Sequence, residues 1–243
     1  MIKKLDWIKL PPWITFEKDY FVVSDIHGRF NKFKELMSSK PEGTKTIILG
    51  DYTDRGHQNV KVIKSLLNKN FIMLKGNHDI ALYYTLYPEK ATEFEEVVFS
   101  NQITYNYGGD KTVQELEDES YDLYEQFYRK LKTYYIDDSL LFVHSGVYPE
   151  NVKDSLDSED GIAMCLYNNI YGFHPVWAGQ IFGYPKIQLN NKRMLVIHGH
   201  TPTKIENCFK KTHVCCDIGM KFMMGLLFKH GKTANGIRPY ICS

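Results

Sequence analysis

Asp25 and His27 stand two residues apart, Asp51, Asp54 and Arg55 fall within one short loop, and Asn77 and His78 are adjacent. They sit in three segments: Ser24-Asp25-Ile26-His27-Gly28, Gly50-Asp51-Tyr52-Thr53-Asp54-Arg55-Gly56 and Gly76-Asn77-His78-Asp79. Carboxylate, amide and imidazole donors suit divalent cations, and a carboxylate shared by two cations offsets their mutual repulsion. Asp51 has the position for that bridging role. Asp25 and His27, at alternate positions of an extended strand end, can turn to the same side and grip one ion. Arg55 adds a planar fork that matches phosphate. A lone Asp or Asn in a glycine-flanked loop is usually a turn or cap residue; the joint pattern reverses that reading for Asp25, Asp51 and Asn77.

The elements that must position these residues are legible around them. Each segment follows an apolar run of strand length: Phe21-Val22-Val23, Thr46-Ile47-Ile48-Leu49 and Phe71-Ile72-Met73-Leu74. Strand ends are where an α/β protein builds its active site. After the first segment Phe30, Phe33, Leu36 and Met37 share one helical face, ended near Pro41-Glu42-Gly43; Val60, Ile63, Leu66 and Leu67 repeat the pattern after the second. Strand, loop and helix twice over predict parallel strands with crossover helices. Residues 80–134 turn helical and tyrosine-rich, with Phe94, Val97 and Val98 on one face and Tyr124, Phe127, Tyr128 and Leu131 on another. Asn106-Tyr107-Gly108-Gly109-Asp110 interrupts this stretch, read as a helical insertion (about 80–134) beside the site. A hairpin follows, Thr133–Ile136 and Leu140–Val143 around an Asp137-Asp138-Ser139 turn, and feeds His144. Met194–Ile197 delivers His198 and His200, and short strands are expected around Thr212–Cys216 and Gly225–Phe228, while 148–190 reads as mostly irregular.

Two further segments, His144-Ser145-Gly146 and Gly199-His200-Thr201-Pro202, complete a series that resembles the calcineurin-like metallophosphoesterases: D-x-H, G-D-x-x-D-R-G, G-N-H-[DE], H-x-G and G-H-T-P. The resemblance runs from about Phe21 to about Gly225. Its second segment is similar to the phosphoprotein phosphatase branch, and Asn106–Asp110 with Cys216-Asp217-Ile218-Gly219 to its small bacterial and lambda phage-type serine/threonine phosphatases. It implies an α/β fold of two packed mixed β-sheets flanked by helices. It also implies two divalent cations, manganese first among them, with iron, zinc or cobalt compatible. Asp25, His27 and Asp51 would hold the first and Asp51, Asn77, His144 and His200 the second. Arg55, Asn77 and His78 would meet the substrate phosphate, with His78 as general acid oriented by Asp54. The reaction implied is phosphomonoester hydrolysis by metal-activated hydroxide in one in-line displacement, on phosphoserine or phosphothreonine in a protein or peptide.

Departures from the family pattern keep other readings in view. The second phosphate-binding Arg of this branch is missing at Trp177-Ala178-Gly179-Gln180, leaving Arg193 as a distant substitute. Dinucleoside polyphosphate hydrolases share G-N-H-D, although they typically lack an acid at the position of Asp54. Nucleases and phosphodiesterases need a second His where Pro202 stands. A metal-bound pseudophosphatase serving as a binding module is opposed by retention of Arg55, His78 and every ligand. Asp79 is expected to cap the helix beginning at Ile80, Arg29 to serve a helix start at least as well as substrate, and His198 to support the ligands. His57, His174, His213 and His230 are expected at the surface or in structural roles, and the tyrosines in packing.

At 243 residues one well-buried domain (1–243) is expected. A net charge of +1 gives no pull toward nucleic acid or an acidic membrane surface. No apolar run has the ~18 residues needed to span a bilayer. Cys165, Cys208, Cys215, Cys216 and Cys242 lack zinc-ligand spacing and are expected as reduced thiols in a cytoplasmic protein, with Cys215 and Cys216 alternating faces of a strand.

Overall fold

The structure, a computed structural model, describes residues 1–90, 107–147, 186–231 and 235–243. The expected helical face of Phe94, Val97 and Val98, and the segment holding Cys165, His174 and Trp177, lie outside the described residues.

Two mixed sheets form, as the family resemblance implies. The first has seven strands: β1 (Ile2–Lys4), β2 (Ile8–Lys9), β3 (Tyr20–Val23), β4 (Lys45–Ile48), β5 (Ile72–Met73), β11 (Met223–Lys229) and β12 (Gly236–Cys242), in the order β1-β12-β11-β3-β4-β5 with β2 also on β12. The second contains β6 (Tyr134–Asp137), β7 (Leu140–Val143), β8 (Ile187–Leu189), β9 (Lys192–His198) and β10 (His213–Cys215), in the order β10-β9-β7-β6 with β8 also on β9. Strands β3, β4 and β5 are parallel, as are β7, β9 and β10. Their C-terminal ends carry the motifs.

Period-two alternation sorts the side chains. Tyr20, Val22, Ile47 and Leu49 of the first sheet meet Leu140, Phe142, Leu195 and Ile197 of the second in one core between the sheets. Their alternate neighbours Phe21, Val23 and Ile48 face the helices instead. Each such fully buried side chain contributes about 1.5–3 kcal/mol relative to exposure, so register in these strands is strongly specified. The helices covering the first sheet are α1 (Phe30–Ser38), α2 (Asn59–Leu67), α3 (Asn77–Leu86), α4 (Asp110–Glu117) and α5 (Tyr121–Tyr128). Phe33 and Leu36 of α1, Val60, Ile63 and Leu66 of α2, and Tyr124 and Phe127 of α5 make the apolar layer there. Glu115 of α4 accepts from the Val60 amide (2.9 Å) and from Asn59 Nδ2 (2.8 Å), closing the start of α2.

Several expectations are refined. Helix α3 begins at Asn77 rather than Ile80, which makes Asn77 and His78 first-turn residues. Strand β12 was not anticipated, because Pro239 in its middle reads as a strand breaker; yet it pairs with β11 over its whole length. His213 is buried, which leaves only the structural alternative for it, whereas His57 and His230 are exposed. Among the described residues no helix is long and apolar enough to cross a membrane. Cys208, Cys215, Cys216 and Cys242 are buried and free.

Candidate metal centre

Five strand-end segments meet at one rim. Asp25 and His27 follow β3, Asp51, Asp54 and Arg55 follow β4, Asn77 and His78 follow β5, His144 follows β7, and His200 follows β9. The backbone there is unusual. His27, Asp51, Asp54, Arg55 and His200 all have positive φ, between 46° and 71°, a region non-glycine residues seldom enter. Gly50 (φ +116) and Gly76 let the loops close up: a Cβ on Gly76 would fall on Asp51 Oδ1, and one on Gly50 would come 2.6 Å from the Gly76 nitrogen.

The ligand atoms are pre-oriented. His27 Nδ1 lies 2.9 Å from the Thr53 carbonyl, which only an N–H can satisfy. Its Nε2 therefore presents a lone pair, 3.8 Å from Asp25 Oδ2 and 3.6 Å from Asp51 Oδ2. That nitrogen is buried and has no hydrogen-bond partner. His144 repeats the arrangement: Nδ1 donates to the Leu49 carbonyl at 2.9 Å, so Nε2 turns its lone pair toward Asn77 Oδ1 (3.0 Å) and Asp51 Oδ1 (3.5 Å). His200 Nδ1 stands 2.9 Å from Asn77 Oδ1 and 3.1 Å from His144 Nε2.

Electron pairs converging on two points, with Asp51 between them, fit a pair of cations. An orphaned imidazole nitrogen aimed between two buried carboxylates has no other evident partner. The titration behaviour agrees. Burial pushes the Asp51 carboxyl well above its usual range, with Asp25 and Asp79 adding to the rise and His78 opposing it; bound cations would offset that cost. Burial also holds His200 down to about 3, helped by His144, so it stands neutral and able to ligate. For Asp25 burial raises the carboxyl, but His144 and His27 outweigh it and the net is a lowered value.

Around this centre the structure brings together the other predicted residues. His78 Nδ1 is 2.7 Å from Asp54 Oδ2, and its Nε2 is 2.9 Å from Arg55 Nη2. A guanidinium can only donate, so Nε2 is bare here and Nδ1 carries the proton. His78 is pulled down by burial, but Asp51 and Asp54 prevail and raise it overall. The carboxylates thus favour protonation of His78, while the contact with Arg55 opposes it. Arg55 itself is exposed at the rim.

Some functional contacts escaped sequence reasoning. Thr112 donates to Asp54 Oδ1 (2.8 Å) and accepts from the Asp54 amide (3.1 Å); proximity to the Asn106–Asp110 segment was the only signal. Asp79 does more than cap: it accepts from Gly76 N (2.7 Å), Asp51 N (2.8 Å) and Tyr52 N (3.2 Å), and so shapes the Asp51 loop. Burial raises its carboxyl to about 7 against those three bonds. Arg29 is committed to carbonyls of Asp25, Ile26, Met220 and Phe222, which settles it as a structural clamp. Arg193 lies near the opposite, N-terminal end of β9 over the Trp13 ring (4.1 Å), and cannot replace the missing phosphate-binding Arg. His198 is buried beside His213 and lowered to about 4 by burial, a neutral ring behind the ligands.

Comparison with known proteins agrees with this geometry. The chain is 29% identical over 103 residues to the serine/threonine-protein phosphatase PP2A-like PPG1 of Candida albicans, covering 38% of this chain and 25% of that protein. It is 26% identical over 220 residues to the bis(5'-nucleosyl)-tetraphosphatase PrpE of Anoxybacillus flavithermus, covering 84% of this chain and 86% of that protein. The match thus spans only a quarter of the phosphatase's own length but most of the tetraphosphatase. The solved metallophosphoesterase from Sphaerobacter thermophilus shares the fold at TM-score 0.52 and 13% identity, over 93% of this chain and 88% of that one. The family model for calcineurin-like phosphoesterases matches residues 20–231. With that match and five motif segments converging on one rim, the chain belongs to the calcineurin-like phosphoesterase family.

Proposed function

We propose that this chain is a dinuclear metal phosphomonoesterase acting on phosphoserine and phosphothreonine in cytoplasmic proteins, with manganese as its working metal. The observation that supports this most is the Asp54–His78–Arg55 array beside the ligand cluster. Asp25, His27 and Asp51 would hold one cation, and Asp51, Asn77, His144 and His200 the other. When bound, the cations supply Lewis acidity toward the phosphoryl oxygens and a water made nucleophilic near neutral pH.

The chain's own residues supply the rest. A dianionic phosphate offers Arg55 a better partner than a neutral imidazole nitrogen. As Arg55 turns to the phosphate, His78 Nε2 is released, and Asp54 and Asp51 favour its protonation. His78 then stands as the acid for the departing oxygen of a single in-line displacement, with Asp54 holding its Nδ1–H. An alkoxide such as that of serine is a poor leaving group and gains most from such an acid.

One observation favours a second reading. The tetraphosphatase match covers 84% of this chain against 38% for the phosphatase, so hydrolysis of a dinucleoside polyphosphate is the alternative. The two separate by measuring kcat/KM for a phosphoserine peptide and for diadenosine tetraphosphate with the same Mn²⁺ loading. The peptide is expected to be the better substrate. A higher value for the dinucleotide replaces the phosphatase reading with the nucleotide one.

A further inference from the structure

Tyr107 has no part in the arrangement above, yet it stands beside it. The residue is 55% exposed, one of the few large apolar side chains so placed among the described residues. The ring centroid lies 6.3 Å from that of His78 with the planes at 86°, an edge-to-face contact. The anchoring is specific. Gly108 takes φ +90°, and its carbonyl accepts the Arg55 amide at 3.3 Å. A Cβ at Gly108 would sit 2.9 Å from the Arg55 nitrogen. Four residues on, Thr112 is bonded to Asp54. The segment from 107 to 112 is thus fastened to the very loop that carries Asp54 and Arg55.

We infer that Tyr107 is a specificity-determining residue that contacts the group attached to the leaving oxygen and favours one presenting a flat aromatic face. The inference rests on the proposed role of His78 only in placing the leaving oxygen on His78's side of the site. With the two ring centroids only 6.3 Å apart, the substrate atoms that would reach Tyr107 are those directly bonded to the ester oxygen. An aryl ester puts its ring there at once. A serine ester puts a methylene there, which offers little area, and the adenine of a dinucleoside polyphosphate lies several bonds further out. The site would therefore add aryl phosphomonoesters, phosphotyrosine among them, to its alkyl substrates.

The test is a binding measurement that needs no turnover, so it is independent of whether phosphoserine peptide or dinucleotide is the better substrate. Manganese-loaded wild type, Tyr107→Ala and Tyr107→Phe are titrated calorimetrically with phenylphosphonate and methylphosphonate. Wild type and Tyr107→Phe are expected to bind phenylphosphonate about 3- to 10-fold more tightly than methylphosphonate, the size of one aromatic pair. Tyr107→Ala is expected to lose that preference while its methylphosphonate affinity stays within about twofold, reporting an intact metal centre. A wild type with no phenyl preference, or a Tyr107→Ala protein that keeps it, overturns the inference.

Discussion

His78 is held between two demands. Asp54 bonds its Nδ1 at 2.7 Å and Arg55 its Nε2 at 2.9 Å, so the nitrogen that would meet a leaving oxygen is occupied until Arg55 finds a better anion. If His78 acts on the leaving group, its value depends on how basic that group is. General acids contribute typically ~10²–10⁴-fold. His78→Asn is therefore expected to slow phosphoserine hydrolysis about 100-fold or more, and p-nitrophenyl phosphate much less, since nitrophenolate departs unaided. Single-turnover rates on both substrates decide the matter. Equal losses would assign His78 to positioning instead.

At the level of elements, the site depends on loops that other elements hold in costly conformations. Five non-glycine residues with positive φ cluster at the strand ends, each worth of order 1–3 kcal/mol of strain, persisting only where the surroundings over-determine them. For the Asp51 loop those surroundings are the carboxylate of Asp79 on α3; for the Asp54–Arg55 loop they are Thr112 on α4 and the Gly108 carbonyl. Under the proposed role of His78, helix α4 would thus bear on catalysis without touching substrate. Thr112→Val keeps the shape and removes both hydrogen bonds to Asp54, leaving a buried carboxylate oxygen and amide short of partners. That is expected to cost ~1–3 kcal/mol of stability and to lower kcat for phosphoserine more than it raises KM, with Thr112→Ser restoring both. Melting temperatures alongside steady-state kinetics check this. An unchanged kcat in the Val variant would show that Asp54 needs no support from α4.

For the whole molecule, the metal centre is also a joint. Asp25, His27, Asp51 and Asn77 belong to loops of the first sheet, while His144 and His200 belong to the second. Cations held by these residues would tie together the two layers that the inter-sheet core already packs. A ligand held only by the folded state stabilises it by mass action. Removing metal with a chelator is therefore expected to abolish turnover and lower the melting temperature by several degrees, with Mn²⁺ restoring both. In Asp51→Asn, which loses the bridging carboxylate, added Mn²⁺ should leave turnover absent and raise the melting temperature much less. Full activity in a sample shown metal-free by elemental analysis would dispose of the dinuclear reading.

The motif residues were legible because each is a chemical type at a strand end with its own local signal: an apolar run before it and glycine beside it. Asp25, His27, Asp51, Asn77, His144 and His200 could be named because the five spaced motifs resemble those of a known family, while it is the parallel pairing of their strands that brings them out at one rim. Strand periodicity assigned Val22 and Leu195 to strands, but not the fact that they meet in one core. Contacts between segments distant in sequence carry no local trace. Apart from the nearby Asn106–Asp110 segment nothing in the sequence ties Thr112 to Asp54, fifty-eight residues away, and Arg193 resembles any other basic residue until the fold places it over Trp13, at the end of β9 away from His198. Strand β12 hid behind Pro239 because its pairing partners, β11 and β1, override local propensity. The chain's chemistry is thus written locally, in side-chain types and spacing. Which neighbour orients each of those side chains is decided only when the two sheets and their helices close, because burial and hydrogen-bond geometry exist only in three dimensions.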